Sequence, residues 1–157
     1  MKINHSISPP AFTGTQLGKK ILLIENDLPL RELLIEIFVD YHFIVKGFEY
    51  TENLYELAVR FKPDIIILDY LLPKINGDEL CRQIKTKAST ATIPIILFSA
   101  FNNAVKSNET RNWDAFLAKP FDLDVLINTV KTLIFKQKSK NKLHSSSRTH
   151  RPYLNPL

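Results

Sequence analysis

Pro63-Asp64-Ile65-Ile66-Ile67-Leu68-Asp69 is an unbroken aliphatic run that delivers one carboxylate at its end. Four large aliphatics in a row, with no polar alternation, describe a strand covered on both faces, as in a parallel sheet. Open parallel sheets gather their chemistry just beyond the carboxyl ends of the strands. Asp69 stands at that point, ahead of the loop Tyr70-Leu71-Leu72-Pro73-Lys74-Ile75-Asn76-Gly77. Read from this run alone, Asp69 is a nucleophile, a metal ligand or a strand-capping carboxylate.

Four further strands read out of the chain: Lys20 to Ile24, Phe43 to Gly47, Ile95 to Phe98 and Ala115 to Ala118. Helices fall between them. The first, Leu28 to Asp40, tolerates Pro29 in its first turn and keeps Leu30, Leu33, Leu34, Ile37 and Phe38 at helical spacing. Others are expected from Glu52 to Phe61, from Gly77-Asp78 onward with Leu80, Cys81 and Ile84 inward, and from Leu123 to Phe135 behind a capping Asp122. A short polar helix is expected around Asn103 to Arg111, where Ser107, Asn108, Thr110 and Asn112 leave little to bury. Five strands alternating with five helices describe an α/β fold, a doubly wound parallel sheet with helices on both faces. No Gly-x-Gly-x-x-Gly follows the first strand, and no Gly-Lys-Ser/Thr phosphate loop occurs.

The net charge of +5 acquires meaning only by location. All 16 acidic residues lie between Lys19 and Lys131, against 14 Lys and Arg in that span, so the folded part is slightly acidic. The remaining 7 basic residues lie outside it. Residues 1–18 read as a disordered leader, 19–138 as the folded domain, and 139–157 as a basic disordered tail too poor in aliphatics to order itself. A single cysteine, Cys81, excludes an internal disulfide framework and reads as a small packing residue in a cytoplasmic protein. No apolar run has the length of a membrane span or the form of a signal peptide.

The strand ends carry Glu25-Asn26-Asp27, Asp69, Ser99 and Lys119. Acids, a lone carboxylate, a hydroxyl and an amine suit one task, which is to hold a hard divalent cation and a phosphoryl group together. Mg²⁺ takes oxygen ligands and keeps several waters, while a hydroxyl and an ammonium neutralise phosphoryl oxygens.

With these residues assembled, the chain from about Lys19 to Lys138 resembles a response-regulator receiver domain of two-component signalling, of the single-domain type. The resemblance rests on ILLIEND, DIIILDYLLPKINGDEL, ILFSA and DAFLAKPF. It implies the flavodoxin-like strand order 2-1-3-4-5. It implies that Asp69 accepts a phosphoryl group from a sensor histidine kinase or phosphotransfer protein, forming an acyl phosphate. Glu25, Asn26, Asp69 and the Leu71 carbonyl would surround Mg²⁺. Ser99 would hydrogen-bond the phosphoryl oxygen, Lys119 would pair with it, and Lys119-Pro120 would be cis. Phe116 takes the aromatic switch position, with Ser99 as its partner. Output would pass by contact to a downstream protein, with no DNA-binding domain and no membrane, and with a homodimer left open. Such a module hydrolyses its own phosphoryl group slowly and is not a turnover enzyme.

One departure stands out. The family usually places Asp where this chain has Asn26, so the expectation is weaker Mg²⁺ binding and slower phosphorylation. Leu71 and Phe101, two positions after Asp69 and Ser99, are apolar where they would flank the phosphoryl group, which points to slow hydrolysis. The competing reading is a phosphorylation-independent interaction module whose metal site Asn26 has blunted. An aspartyl-nucleophile phosphatase is set aside, because those enzymes need a second Asp where Leu71 stands. Nucleic-acid binding through the tail lacks a recognition fold. His5, His42, His144 and His150 show no metal-ligand spacing, and Trp113 reads as packing.

Overall fold

Ile65, Ile66, Ile67 and Leu68 have no solvent exposure, and the sheet around them explains why. The computed structural model describes residues 18–100 and 112–146. Its strands are β1 (Lys20–Ile24), β2 (Ile44–Phe48), β3 (Ile65–Asp69), β4 (Ile95–Ser99) and β5 (Ala115–Ala118). All neighbours pair parallel, in the order β2-β1-β3-β4-β5. The helices among the described residues are α1 (Leu28–Asp40), α2 (Leu54–Phe61), α3 (Gly77–Lys85) and α4 (Leu123–Ser146).

Alternation along each strand feeds two cores. Ile21 and Leu23 of β1, with Ile65 and Ile67 of β3, pack against Leu34 and Phe38 of α1 and Leu126, Val130 and Ile134 of α4. The intervening Leu22, Ile24, Ile66 and Leu68 pack against Leu54 and Ala58 of α2 and Leu80, Cys81 and Ile84 of α3. Both sheet faces are therefore covered, as the aliphatic run requires. Trp113 and Phe116 lie partly buried against the second core. Cys81 is buried there, and that burial pushes its thiol far above the ordinary range, in keeping with a packing role.

Local chemistry starts and stops the helices. Asp27, Asn53 and Asn76 cap α1, α2 and α3, each side-chain oxygen accepting the backbone N–H three residues on. Lys62 ends α2 in the left-handed region (φ 54°) and Pro63 follows, a common helix stop. Asp122 accepts from the Asp124 and Val125 amides at the start of α4.

Several expectations need adjustment: α2 starts at Leu54 behind its cap Asn53, two residues after the expected Glu52, and β4 ends at Ser99, one residue after Phe98. The described residues hold four helices where five are expected, because the expected helix at Asn103 to Arg111 lies outside them, as does Phe101. β2 runs from Ile44 to Phe48, one residue later than expected at each end. The last helix continues past Phe135 to Ser146, through residues 139–146 that composition assigns to a disordered tail. Poverty in aliphatics limits what a segment can bury but not its backbone conformation. No Gly or Pro interrupts the chain between Leu123 and Arg151, so no strong breaker ends the helix there. No helix among the described residues is long and apolar enough to cross a membrane.

Gly77 opens α3 where the loop after β3 folds back, its N–H donating to the Tyr70 carbonyl at 2.9 Å. A Cβ there would lie 2.8 Å from Tyr70 Cα and 2.9 Å from the Asp69 carbonyl oxygen. Both are backbone atoms, so the loop itself would have to move. Gly77→Ala should cost about 1–3 kcal/mol of unfolding free energy. An unchanged urea midpoint contradicts this account of the loop.

Candidate functional site

In this strand order the chain steps outward from β1 to β2, then returns to β3 and proceeds the other way to β4 and β5. The loops leaving β1 and β3 therefore part company, and a crevice opens between them at the carboxyl ends of the strands. Glu25 directly follows β1, Asp69 ends β3, Ser99 ends β4 and Lys119 directly follows β5. Parallel pairing in register brings these four tips to the same edge.

The Lys119 ammonium lies between two carboxylates. Its Nζ donates to Asp69 Oδ2 at 2.6 Å and to Glu25 Oε2 at 2.7 Å. The other Asp69 oxygen, Oδ1, accepts the Leu71 N–H at 3.0 Å, and Glu25 Oε1 accepts the Asp27 N–H at 3.0 Å. Glu25 is fully buried, and the Asp69 and Lys119 side chains are 7% and 19% exposed. Two buried carboxylates against one ammonium leave the site with a net negative charge.

The surrounding backbone holds these groups in place. The Lys119 N–H donates to the Ser99 carbonyl at 2.7 Å, tying the end of β5 to the end of β4, and Lys119-Pro120 is cis. The Tyr70 N–H donates to the Phe98 carbonyl at 2.8 Å, and the Glu25 N–H to the Phe48 carbonyl at 3.0 Å. Ser99 is fully buried, whereas Asn26 is exposed and Leu71 is 44% exposed. Asp27 is committed elsewhere: its carboxylate caps α1, accepting the Leu30 N–H at 3.0 Å. Capping fixes Asp27 on the helix side of the loop.

Glu25 and Asp69 thus meet at one ammonium, Asn26 and Leu71 flank them in sequence, and Ser99 is tied to Lys119 through the backbone. Among the described residues no group of three or more His, Cys, Asp or Glu could hold a metal ion. Two converging carboxylates supplemented by neutral amide and carbonyl oxygens are nonetheless an oxygen-only donor set, which fits a hard, partly hydrated cation. Two contacts have no counterpart among the sequence-based candidates. Arg31 Nη1 donates to the Glu25 carbonyl, bracing the loop after β1 from α1. Lys74, in the loop after β3, reaches Glu52 at 3.3 Å and lies over the Tyr50 ring. Arg31 sits one helical turn after the cap Asp27, and that spacing is its only signal in the sequence.

Burial pushes the Glu25 carboxyl above its ordinary range, outweighing the hydrogen bonds from Lys119 and the Asp27 amide, and the Asp69 charge adds to the rise. Burial alone would lower Lys119, but its hydrogen bonds to Asp69 and Glu25 prevail and raise it. A group raised on folding contributes stability that is full below its unfolded value and lost as pH rises through its folded value. For Lys119 that loss falls at alkaline pH. For Glu25 it falls between the ordinary carboxylate range and its raised value. In the metal-free protein Glu25→Gln should therefore flatten the decline of the unfolding midpoint as pH climbs out of the acidic range. A midpoint-versus-pH curve with the same slope in both proteins contradicts this.

Comparison with known proteins agrees with this geometry. The response regulator receiver domain family matches residues 21–131. The phosphate regulon transcriptional regulatory protein PhoB of Pseudomonas aeruginosa is 31% identical over 121 residues, covering 75% of this chain and 52% of PhoB. The probable transcriptional regulator ycf29 of Pyropia yezoensis is 29% identical over 143 residues, covering 88% of this chain and 64% of that protein. This chain thus spans about half to two thirds of the length of these relatives. Among solved structures, response regulator TrrA of Thermotoga maritima, in complex with Mg²⁺-BeF, superposes with a TM-score of 0.66 at 28% identity, covering 73% of this chain and 98% of TrrA. The receiver domain of sensor histidine kinase PA1611 from Pseudomonas aeruginosa, with a magnesium ion in its active-site cleft, gives 0.62 at 26% identity, covering 74% and 98%. With the strand order, the convergent strand tips and a family match over more than half its length, the chain belongs to the response regulator receiver domains of two-component signal transduction.

Proposed function

We propose that this chain is a phospho-acceptor switch in which Asp69 takes a phosphoryl group from a histidine kinase or a phosphotransfer protein. The convergence of Asp69, Glu25 and Lys119 at the carboxyl edge of the sheet carries this reading. In the transfer, an Asp69 carboxylate oxygen attacks phosphorus. The P–N bond to the donor imidazole breaks, its electron pair stays on the nitrogen, and the product is an acyl phosphate. The Leu71 N–H orients the attacking carboxylate through Oδ1. Lys119, already within hydrogen-bond reach of Asp69, is placed to follow the charge onto the phosphoryl oxygens. Magnesium, with Glu25, Asn26, Asp69 and the Leu71 carbonyl as proposed ligands, would neutralise charge on the transferring group.

Ser99 would then hydrogen-bond the phosphoryl oxygen, and Phe116, partly buried on β5, would repack as the readout. The altered surface around β5 would engage a downstream protein. Leu71 would shield the acyl phosphate, leaving only slow self-hydrolysis. The neutral, exposed Asn26 favours a second reading, a module that signals through its docking surface without phosphorylation.

Incubation with acetyl phosphate and Mg²⁺, read by intact mass, separates the two. The switch gains the mass of one phosphoryl group and Asp69→Asn does not. No gain in the wild-type chain, or a gain retained by Asp69→Asn, contradicts the proposal. The missing charge at Asn26 has its own test. Asn26→Asp should tighten Mg²⁺ binding about tenfold, the effect of roughly 1.4 kcal/mol from one added carboxylate ligand. Unchanged affinity in a magnesium titration would place residue 26 outside the metal's reach.

A further inference from the structure

We infer that Arg31 is a positioning residue for the magnesium site, holding the backbone on both sides of Asn26 so that a ligand without charge stands ready in place. The inference rests on the phospho-acceptor reading, in which Asn26 is among the metal's ligands. The carbonyls of Glu25 and Asp27 bracket Asn26, and Arg31 engages both. Its side chain donates from Nη1 to the Glu25 carbonyl, and its backbone N–H donates to the Asp27 carbonyl at 2.9 Å. The peptide unit between those two is held as well, because the Asp27 N–H donates to Glu25 Oε1 at 3.0 Å. Three successive planar units around Asn26 are therefore fixed, two of them by Arg31.

The fold gives the Arg31 side chain a route to that carbonyl. Arg31 and Ile35 lie one turn apart on α1, against β2. A Cβ at Gly47 would lie 2.7 Å from Ile35 Cδ1 and 3.4 Å from Arg31 Cγ, so the bare backbone of β2 lets this side of α1 come close. The half-buried Arg31 stem passes Gly47 on its way to the loop after β1. There the Glu25 N–H donates to the Phe48 carbonyl, and its two carboxylate oxygens accept from Asp27 and Lys119. The Glu25 carbonyl is the remaining polar group, and Arg31 supplies its partner. No ion pair engages Arg31 among the described residues, so its guanidinium is committed to this backbone contact.

Such bracing matters more for Asn26 than for an acid in its place. A carboxylate draws a divalent cation by charge, whereas an amide oxygen contributes only where its geometry is already right. Charge alone gives Arg31 the opposite influence, since a guanidinium beside the site repels the incoming metal. Positioning and repulsion therefore predict changes of opposite sign when Arg31 is neutralised. Losing the brace weakens magnesium binding; losing only a repelling charge tightens it.

Calorimetric titration of the full chain with magnesium alone tests this, using wild type, Arg31→Met, Asn26→Ala and the double variant. Methionine keeps an unbranched stem and the helix propensity of α1. Arg31→Met should weaken magnesium binding about tenfold, the lower end of what losing the support behind a metal ligand costs. In the Asn26→Ala background the same substitution should no longer weaken it, because a brace acting through Asn26 has nothing left to hold. Affinity that Arg31→Met leaves unchanged or tightens overturns the inference while the phospho-acceptor reading stands. Equal weakening with and without Asn26 overturns it too, since Arg31 would then act on the site by another path. A wild-type chain that binds no magnesium overturns the phospho-acceptor reading and this inference with it.

Discussion

A strand sealed on both faces can present chemistry only at its tip, and β3 is such a strand. Its aliphatic residues are wholly buried between the two helical layers, so neither sheet face offers a site. The parallel arrangement then sends every strand end to one edge, and the reversal of direction between β1 and β3 opens that edge where Glu25 and Asp69 lie. The loop after β3 is held close by the Tyr70 carbonyl and the bare backbone of Gly77, which keeps Leu71 within hydrogen-bond reach of Asp69. Burial, direction and loop closure together determine which residues meet.

Once they meet, electrostatics shapes the outcome. Two carboxylates withdrawn from water would repel each other strongly, and Lys119 compensates for both. Burial still pushes the Glu25 carboxyl above its ordinary range, with the Asp69 charge adding to the rise. A site left with excess negative charge at the switch point of a parallel sheet is prepared for a cation and a phosphoryl group to arrive together. Asn26 reduces that excess relative to the usual family pattern. Asp27 does not restore it in this structure, where its Oδ1 caps α1 by accepting the Leu30 N–H.

Much of this is legible in residue patterns. Continuous aliphatic runs reveal strands covered on both faces, and α1 and β5 begin and end at the expected residues. Glu25, Asp69 and Lys119 stand out because each falls at a strand end with the right chemistry. Less legible is anything that depends on which of two partners a polar group chooses. Asp27 could join the acid cluster, and only the loop conformation shows it turned to the helix. Arg31, on α1, braces the Glu25 carbonyl, a side-chain-to-backbone contact that residue patterns do not show. The reach of α4 escapes a compositional reading because composition measures what a segment can bury, whereas helix continuation here follows from the absence of Gly and Pro.

The central claim is that one carboxylate, at the tip of the sealed strand, is the point of covalent attachment. Reductive trapping of the acyl phosphate with borohydride, followed by peptide mass mapping, tests it most directly. The account predicts that Asp69 alone is converted to homoserine in chain exposed to a phosphoryl donor. Conversion at any other carboxylate, or at none while the donor phosphorylates a control receiver, would contradict it.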